Sequence, residues 1–201
     1  MTTKKLITIT EIVSEKLSEN QIPFALIGAM ALAAYGLPRY TADIDVLTEF
    51  RFRQHVILMM EKSGYSCFQK TGTFAQFDSE SGVLGKIDFM FIKSEDGREI
   101  LNRRILVQNE SVDPYPVIQP TDYIILKLMA LANNPERIQR DEADIISVLK
   151  LYRDHMILED FEPIDMNRIR YFGEKFRQSD RVKKYENILS GTDIVDNKFQ
   201  L

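Results

Sequence analysis

Asp43-Ile44-Asp45 sets two carboxylates two residues apart beside apolar neighbours, and Asp88 stands inside the run Gly85-Lys86-Ile87-Asp88-Phe89-Met90-Phe91-Ile92. Side chains of a strand alternate faces with period two, so Asp43 and Asp45 point one way while Ile44 and Val46 point into a core. The second run is apolar and aromatic enough to read as a largely buried strand, where an acid needs a chemical reason. If the two strands are neighbours, the three carboxylates gather within about 4 to 6 Å, and each like-charge pair costs roughly 4 kcal/mol at an effective dielectric near 20. A divalent cation removes that cost. Oxygen donors with no His or Cys nearby favour Mg²⁺ (or Mn²⁺), which is commonly held by one or two carboxylates together with substrate phosphates. The competing arrangement places Asp43 and Asp45 at a solvent edge and pairs Asp88 with Lys86 or an arginine.

A turn upstream supplies a partner for such an ion. Phe24-Ala25-Leu26-Ile27 reads as a short strand, Gly28 breaks it, and Ala29-Met30-Ala31-Leu32-Ala33-Ala34-Tyr35 is a strong helix former. Gly36 falls at the position just past the helix, with Pro38 soon after. A strand, a glycine and a helix N-terminus in succession leave free backbone N–H groups and a positive dipole end at one point, which suits phosphate. The same sequence also fits an ordinary strand-to-helix turn with a packing glycine. Arg39 and Thr41, just before the acid pair, are further candidates for phosphate contact or for shaping the turn.

These residues resemble the nucleotidyltransferase superfamily that includes the polymerase-β-like enzymes. The pattern is an apolar residue, Gly and a small residue, then Asp-x-Asp on a strand, then a third Asp on a later strand. Here it reads Ile27-Gly28-Ala29, Asp43-Ile44-Asp45-Val46 and Ile87-Asp88-Phe89. The longer string from Ile27 through Tyr35-Gly36-Leu37-Pro38-Arg39-Tyr40-Thr41-Ala42 to Asp45 looks like the stand-alone bacterial branch. That branch includes the toxins of abortive-infection systems and the antibiotic adenylyltransferases. Position 29 departs from the usual Gly or Ser, which leaves phosphate binding to N–H groups alone. The resemblance implies an NTP substrate, metal held by Asp43, Asp45 and Asp88, and transfer of a nucleoside monophosphate to a hydroxyl acceptor. For toxin-like members it also implies a tRNA acceptor and an antitoxin partner, and for the other members an antibiotic acceptor. A nucleotide-binding module without activity is the reading from another class.

Pro120-Thr121-Asp122 opens a helix that continues through Leu131, with Lys127 at the edge of its apolar stripe. Stand-alone family members often carry such a Leu-Lys-Leu followed by a helix with a basic residue, an Asp and another Asp, here Arg137, Arg140-Asp141 and Asp144. Lys127 is then a candidate for the triphosphate, or a snorkelling side chain whose stem covers apolar surface. Arg137/Asp141 and Arg140/Asp144 also form i,i+4 pairs, worth only about 0.2 to 0.5 kcal/mol each on an exposed helix.

The elements that must position these groups follow from periodicity and punctuation. Leu6, Ile9, Val13 and Leu17 predict an amphipathic helix over 4–20, and Phe50–Ser63 a second helix ending at Gly64. Strands are expected at Tyr65–Phe68, Phe74–Phe77, Leu84–Ile92, Arg104–Gln108 and Tyr115–Ile118, with helices from Thr121 onward. The fold class expected is α+β: a small mixed β-sheet flanked by helices, residues 1–119, with a helical C-terminal part, residues 120–201. At 201 residues and 44% hydrophobic content the chain can bury a substantial core. A single cysteine, Cys67, excludes an internal disulfide, and the absence of a leader pattern or long apolar run predicts a cytoplasmic protein with no membrane partner.

The net charge of −4 argues against broad nucleic-acid affinity. Between Asn167 and Lys184, however, seven basic residues stand against two acidic ones, with Tyr171, Phe172 and Phe176 interleaved. Such a face could guide an RNA acceptor such as a tRNA end, or Ile169, Phe172 and Phe176 could pack while the charges stay solvated. Other chemistries fit less well. A phosphatase reading of Asp43-Ile44-Asp45 needs an apolar strand before the first Asp, where Pro38-Arg39-Tyr40-Thr41 is polar. Leu47 occupies a ligand position of a calcium loop, Gly85-Lys86 lacks the hydroxyl residue of a P-loop, and His55 and His155 support no triad.

Overall fold

The computed structural model describes residues 3–79, 85–109, 112–134, 136 and 138–192. The chain divides into two compact units, Met1–Gln119 and Pro120–Leu201.

In the first unit, helices α1 (Thr3–Glu19), α2 (Gly28–Tyr35), α3 (Arg53–Lys62) and α4 (Glu95–Asn102) accompany seven strands. These are β1 (Phe24–Leu26), β2 (Asp43–Glu49), β3 (Tyr65–Lys70), β4 (Phe74–Ser79), β5 (Lys86–Ile92), β6 (Ile105–Asn109) and β7 (Val112–Val117). They form one mixed sheet in the order β3-β4-β5-β2-β1-β7-β6. The pairs β2/β5 and β1/β7 are parallel, and the rest are antiparallel. The α+β class with a mixed sheet and flanking helices is the one the sequence predicts.

Period-two alternation sorts the central strands into two faces. Ile44, Val46, Ile87, Phe89, Phe91, Ala75 and Phe77 are fully buried on one of them, where Phe77 and Phe89 meet edge to face at 5.7 Å between ring centroids. Ile9, Val13 and Leu17 on α1 and Val56 and Met60 on α3 are likewise buried at helical spacing. The opposite face of β2, β5 and β4 carries Asp43, Asp45, Lys86, Asp88 and Gln76, none of them fully buried.

The structure differs from the sequence expectations at several boundaries. The predicted helix at Phe50 starts as a short 3₁₀ turn, Phe50–Phe52, before α3. Helix α4 was not anticipated; its signal is Ser94, whose hydroxyl caps the Gly97 N–H ahead of the acidic first turn Glu95-Asp96. The seventh strand runs over Val112–Val117, longer than Tyr115–Ile118, with Pro114 and Pro116 within it. Leu84, taken as the start of β5, lies outside the described residues.

The second unit is helical: α5 (Pro120–Asn133), α6 (Ile138–Arg153), α7 (Met166–Lys175) and α8 (Ser179–Leu189). Helix α5 packs on α6 and α7, and α8 packs on the same two. Tyr123, Ile124, Leu128, Ile145, Val148, Leu149, Ile169, Phe172 and Tyr185 form its core. Among the described residues, no helix is long and apolar enough to cross a membrane.

Candidate active site

Strands β2 and β5 run parallel with Asp45 directly beside Asp88 and Asp43 beside Lys86. Register partners share a face, so all three acids project from the same side of the sheet. Each is partly exposed, and the residues between them are buried. Local alternation therefore aims the acids, and the parallel pairing of two strands distant in sequence brings them together.

Each of the three has its own setting. The Thr41 hydroxyl donates to Asp43 Oδ1 at 2.7 Å and to its carbonyl at 3.0 Å, which fixes the rotamer of Asp43 from the preceding turn. Thr41 is itself only 5% exposed, and its hydroxyl serves the carboxylate and the turn. Arg39 precedes it at intermediate burial on the same turn. Asp88 accepts a 2.7 Å hydrogen bond on Oδ2 from Gln76 Nε2, its register partner on β4. Its other oxygen, Oδ1, is buried without a partner. Burial raises the Asp88 carboxyl above its usual range and the charge of Asp43 raises it further, against the lowering effects of Gln76 and Lys86.

Gly28 completes the arrangement. The Ile27 N–H still bonds the Asp45 carbonyl at 3.0 Å, as a strand would, and Gly28 then turns the chain into α2 with φ +58°. A Cβ at Gly28 would stand 1.9 Å from Asp45 Oδ2, so only glycine lets the backbone lie against that carboxylate. No side chain caps α2, and Ala29 is buried at its first turn. The helix closes as expected at Gly36 (φ 103°), with the Leu37 N–H returning to the Leu32 carbonyl at 2.8 Å. Gly28, the start of α2 and Asp45 are thus brought together at one end of a strand.

Among the described residues, no three His, Cys, Asp or Glu side chains close into a metal cage by themselves. The set of donors still fits a hard divalent ion of the kind completed by phosphate oxygens, because two neighbouring carboxylates face the same space and Asp88 Oδ1 is a buried acceptor with no donor.

Lys127 belongs to a different constellation. Its Nζ bonds Asp141 Oδ1 at 2.6 Å and Asp144 Oδ2 at 2.8 Å, and the Tyr123 hydroxyl donates to the same Asp144 oxygen at 3.2 Å. Asp141 is fully buried and Asp144 is 9% exposed, so these are not the surface i,i+4 acids expected from the spacing. Nor does Lys127 snorkel. The three charges form a buried set between α5 and α6, with Arg140 exposed and Arg137 outside the described residues.

The basic segment also resolves into internal pairs. Arg168 bonds the fully buried Asp122 at 3.2 Å, Arg170 bonds Glu186, and Arg181 bonds Glu142. Ile169 and Phe172 are buried, as the packing alternative requires. Three of the seven bases that suggested an RNA face therefore hold helices together.

Gln76 is the site residue that sequence reasoning missed. Its signal was present in Phe74-Ala75-Gln76-Phe77, where a polar side chain alternates with Ala75 and Phe77, but nothing local shows that Asp88 lies opposite.

No protein-family model matches the chain, and no curated protein matches it in sequence. Solved structures do match in shape. The antibiotic-resistance factor ANT(2'')-Ia is 12% identical with a TM-score of 0.57, over 92% of this chain and 97% of that one. An antigenic nucleotidyltransferase-like protein from Paracoccidioides brasiliensis is 14% identical with a TM-score of 0.55, over 92% and 94% of the two chains. The lincosamide antibiotic adenylyltransferase LnuA, in a lincomycin-bound structure, is 16% identical with a TM-score of 0.51, over 74% and 96%. At such identities the likeness is one of architecture, and with the strand order and acid placement above it establishes that this chain has the nucleotidyltransferase fold.

Proposed function

We propose that this chain is a metal-dependent nucleotidyltransferase that moves a nucleoside monophosphate from an NTP to a hydroxyl acceptor, with its catalytic centre within residues 1–119. The observation that carries this reading is Asp45, set in register beside Asp88 and pressed against a Gly28 that admits no Cβ. A carboxylate pair, a backbone turn and a helix N-terminus at one point suit a triphosphate with its cation better than any apolar or cationic ligand.

Asp43, Asp45 and Asp88 would hold Mg²⁺ or Mn²⁺, which when bound supplies positive charge against the phosphate oxygens. The Gly28 and Ala29 N–H groups, at the positive end of α2, orient the triphosphate. Thr41 keeps Asp43 in one rotamer and Gln76 keeps Asp88 in one orientation, so neither acid reorganises as the reaction proceeds. The acceptor oxygen bonds to the α-phosphorus, the bond from that phosphorus to the bridging oxygen breaks, and pyrophosphate leaves. The hydroxyl proton passes to the Asp88 carboxylate. Lys127, engaged by two aspartates, has a structural part in this scheme.

Calorimetry with Mg-ATP and Mg-CTP, followed by pyrophosphate release, tests the proposal. An Asp45→Asn protein that releases pyrophosphate as fast as the parent would sink it, and binding without release would mark a silent nucleotide-binding module. Growth arrest on expression, relieved by Asp43→Ala, would indicate a toxin with an antitoxin partner and a cellular acceptor such as tRNA. Drug resistance on expression would indicate an antibiotic acceptor.

A further inference from the structure

Beyond Asp88, the acid-bearing face of the sheet continues across β4 and β3. Asp88 sits beside Gln76, which in turn sits beside Gln69 on the edge strand β3. One rung further along, Met90 pairs with Phe74, and Phe74 is 45% exposed. One rung back, Lys86 shares the face of Asp88, and its Nζ lies 5.2 Å from the ring centroid of Phe68, which is 52% exposed. Phe74 therefore stands roughly one rung, about 7 Å, from Asp88 along the strands, and Phe68, on β3 two strands from β5, joins the same face through its contact with Lys86.

Exposed aromatic side chains on the two outermost strands at one edge of a sheet invite association and call for a use. Here their chemistry is specific. Flat apolar rings take a stacked base of any identity, an amide and a lysine beside them take polar edges and a phosphate, and the hydroxyl to be modified would fall at Asp88. We propose that Phe68, Lys86, Gln76 and Phe74 form the acceptor platform, and that its occupant is the hydroxyl-bearing end of a single-stranded RNA. This rests on the nucleotidyl-transfer reading of the acids and adds to it the class of acceptor.

The test uses a short single-stranded RNA with a free terminal hydroxyl, labelled with fluorescein at its other end, titrated by anisotropy at low salt and then incubated with Mg-ATP or Mg-CTP. The expected result is saturable binding that weakens about tenfold in Phe68→Ala or Phe74→Ala and returns in Phe68→Tyr, since one stacked base is lost and restored. Lys86→Ala should flatten the dependence of log affinity on log salt by roughly 0.7, the share of one phosphate contact on a single strand. Asp88→Asn should bind the RNA as the parent does without extending it. Failure of the parent to release pyrophosphate with any acceptor overturns the donor-site reading. Pyrophosphate release with a small hydroxylated compound, without RNA binding, overturns the platform alone. RNA binding unaffected by the Phe68 and Phe74 changes places the RNA elsewhere and overturns it as well.

Discussion

Two regions of this molecule concentrate carboxylates, and they treat them in opposite ways. Between α5 and α6, Asp141 and Asp144 are closed over Lys127, and the Tyr123 hydroxyl adds to the set. On the sheet of the first unit, Asp43, Asp45 and Asp88 share a face with one lysine, and Asp88 keeps a buried oxygen without a donor. The first arrangement carries its counter-charge within the chain, where Lys127 is shared by two aspartates. The second sets three acids against one lysine on a single face of the sheet, and that difference in counter-charge is what separates the two clusters. Family patterning alone put Lys127 and Asp43 in the same class, whereas their partners divide them.

The sharpest way to break the comparison is to neutralise one acid of each kind. Asp45→Asn is expected to lower nucleotidyl transfer by about a thousandfold, since a preorganised charge at the reacting phosphate is lost, with little change in thermal unfolding. Pyrophosphate release and a melting curve on the same sample check both halves. Lys127→Met should do the reverse in kind. It leaves two buried carboxylates facing each other, and urea titration should show a loss of roughly 3 to 5 kcal/mol. If that variant unfolds like the parent, the buried set contributes no more than a surface pair would.

Gly28→Ala should fall between these extremes. The positive φ costs an alanine about 1 kcal/mol, and its Cβ must displace the Asp45 carboxylate, so Mg-ATP affinity should drop more than stability does. Equal losses in calorimetry and melting would mean that the glycine serves only the turn.

The smallest effect concerns Asp88 and pH. Its carboxyl is raised in the folded protein by burial and by Asp43, whereas an unfolded aspartate titrates near about 3.9. The stability linked to its proton is therefore fully present below the unfolded value and is lost as pH rises through the folded one. In the metal-free protein, Asp88→Asn should remove that part of the pH dependence and melt slightly higher at neutral pH, while transfer is abolished. A stabilised, inactive variant is the mark of a residue kept for chemistry. Identical melting-against-pH curves for parent and variant would contradict the uncompensated setting of Asp88.

Much of this fold was legible because it is written locally. The Asp-Ile-Asp-Val alternation set the faces of β2, and Gly28 and Gly36 marked the two ends of α2. The rest depends on pairing that no window of sequence contains. Gln76 reads as an unremarkable polar position until β4 lies against β5, and Asp141 and Asp144 read as surface acids until α6 turns them onto α5. The Arg168 to Asp122 pair, which withdraws a base from the presumed RNA face, joins residues on two different helices of the second unit. Charge counted along a segment overstates charge offered to solvent whenever the segment's bases have partners elsewhere.

The parallel junction of β2 with β5 has a further consequence in time. Asp45 and Asp88 are separated by roughly forty residues, spanning α3 and the β3/β4 hairpin, and the closure entropy of that long loop must be met before the two acids face each other. Helix α2 and the hairpin can form from neighbouring residues alone, so the order of folding puts the pairing of Asp45 with Asp88 among the last features to assemble. A chain interrupted before Lys86 would carry the Asp43-Ile44-Asp45 strand without the neighbour that supplies Asp88.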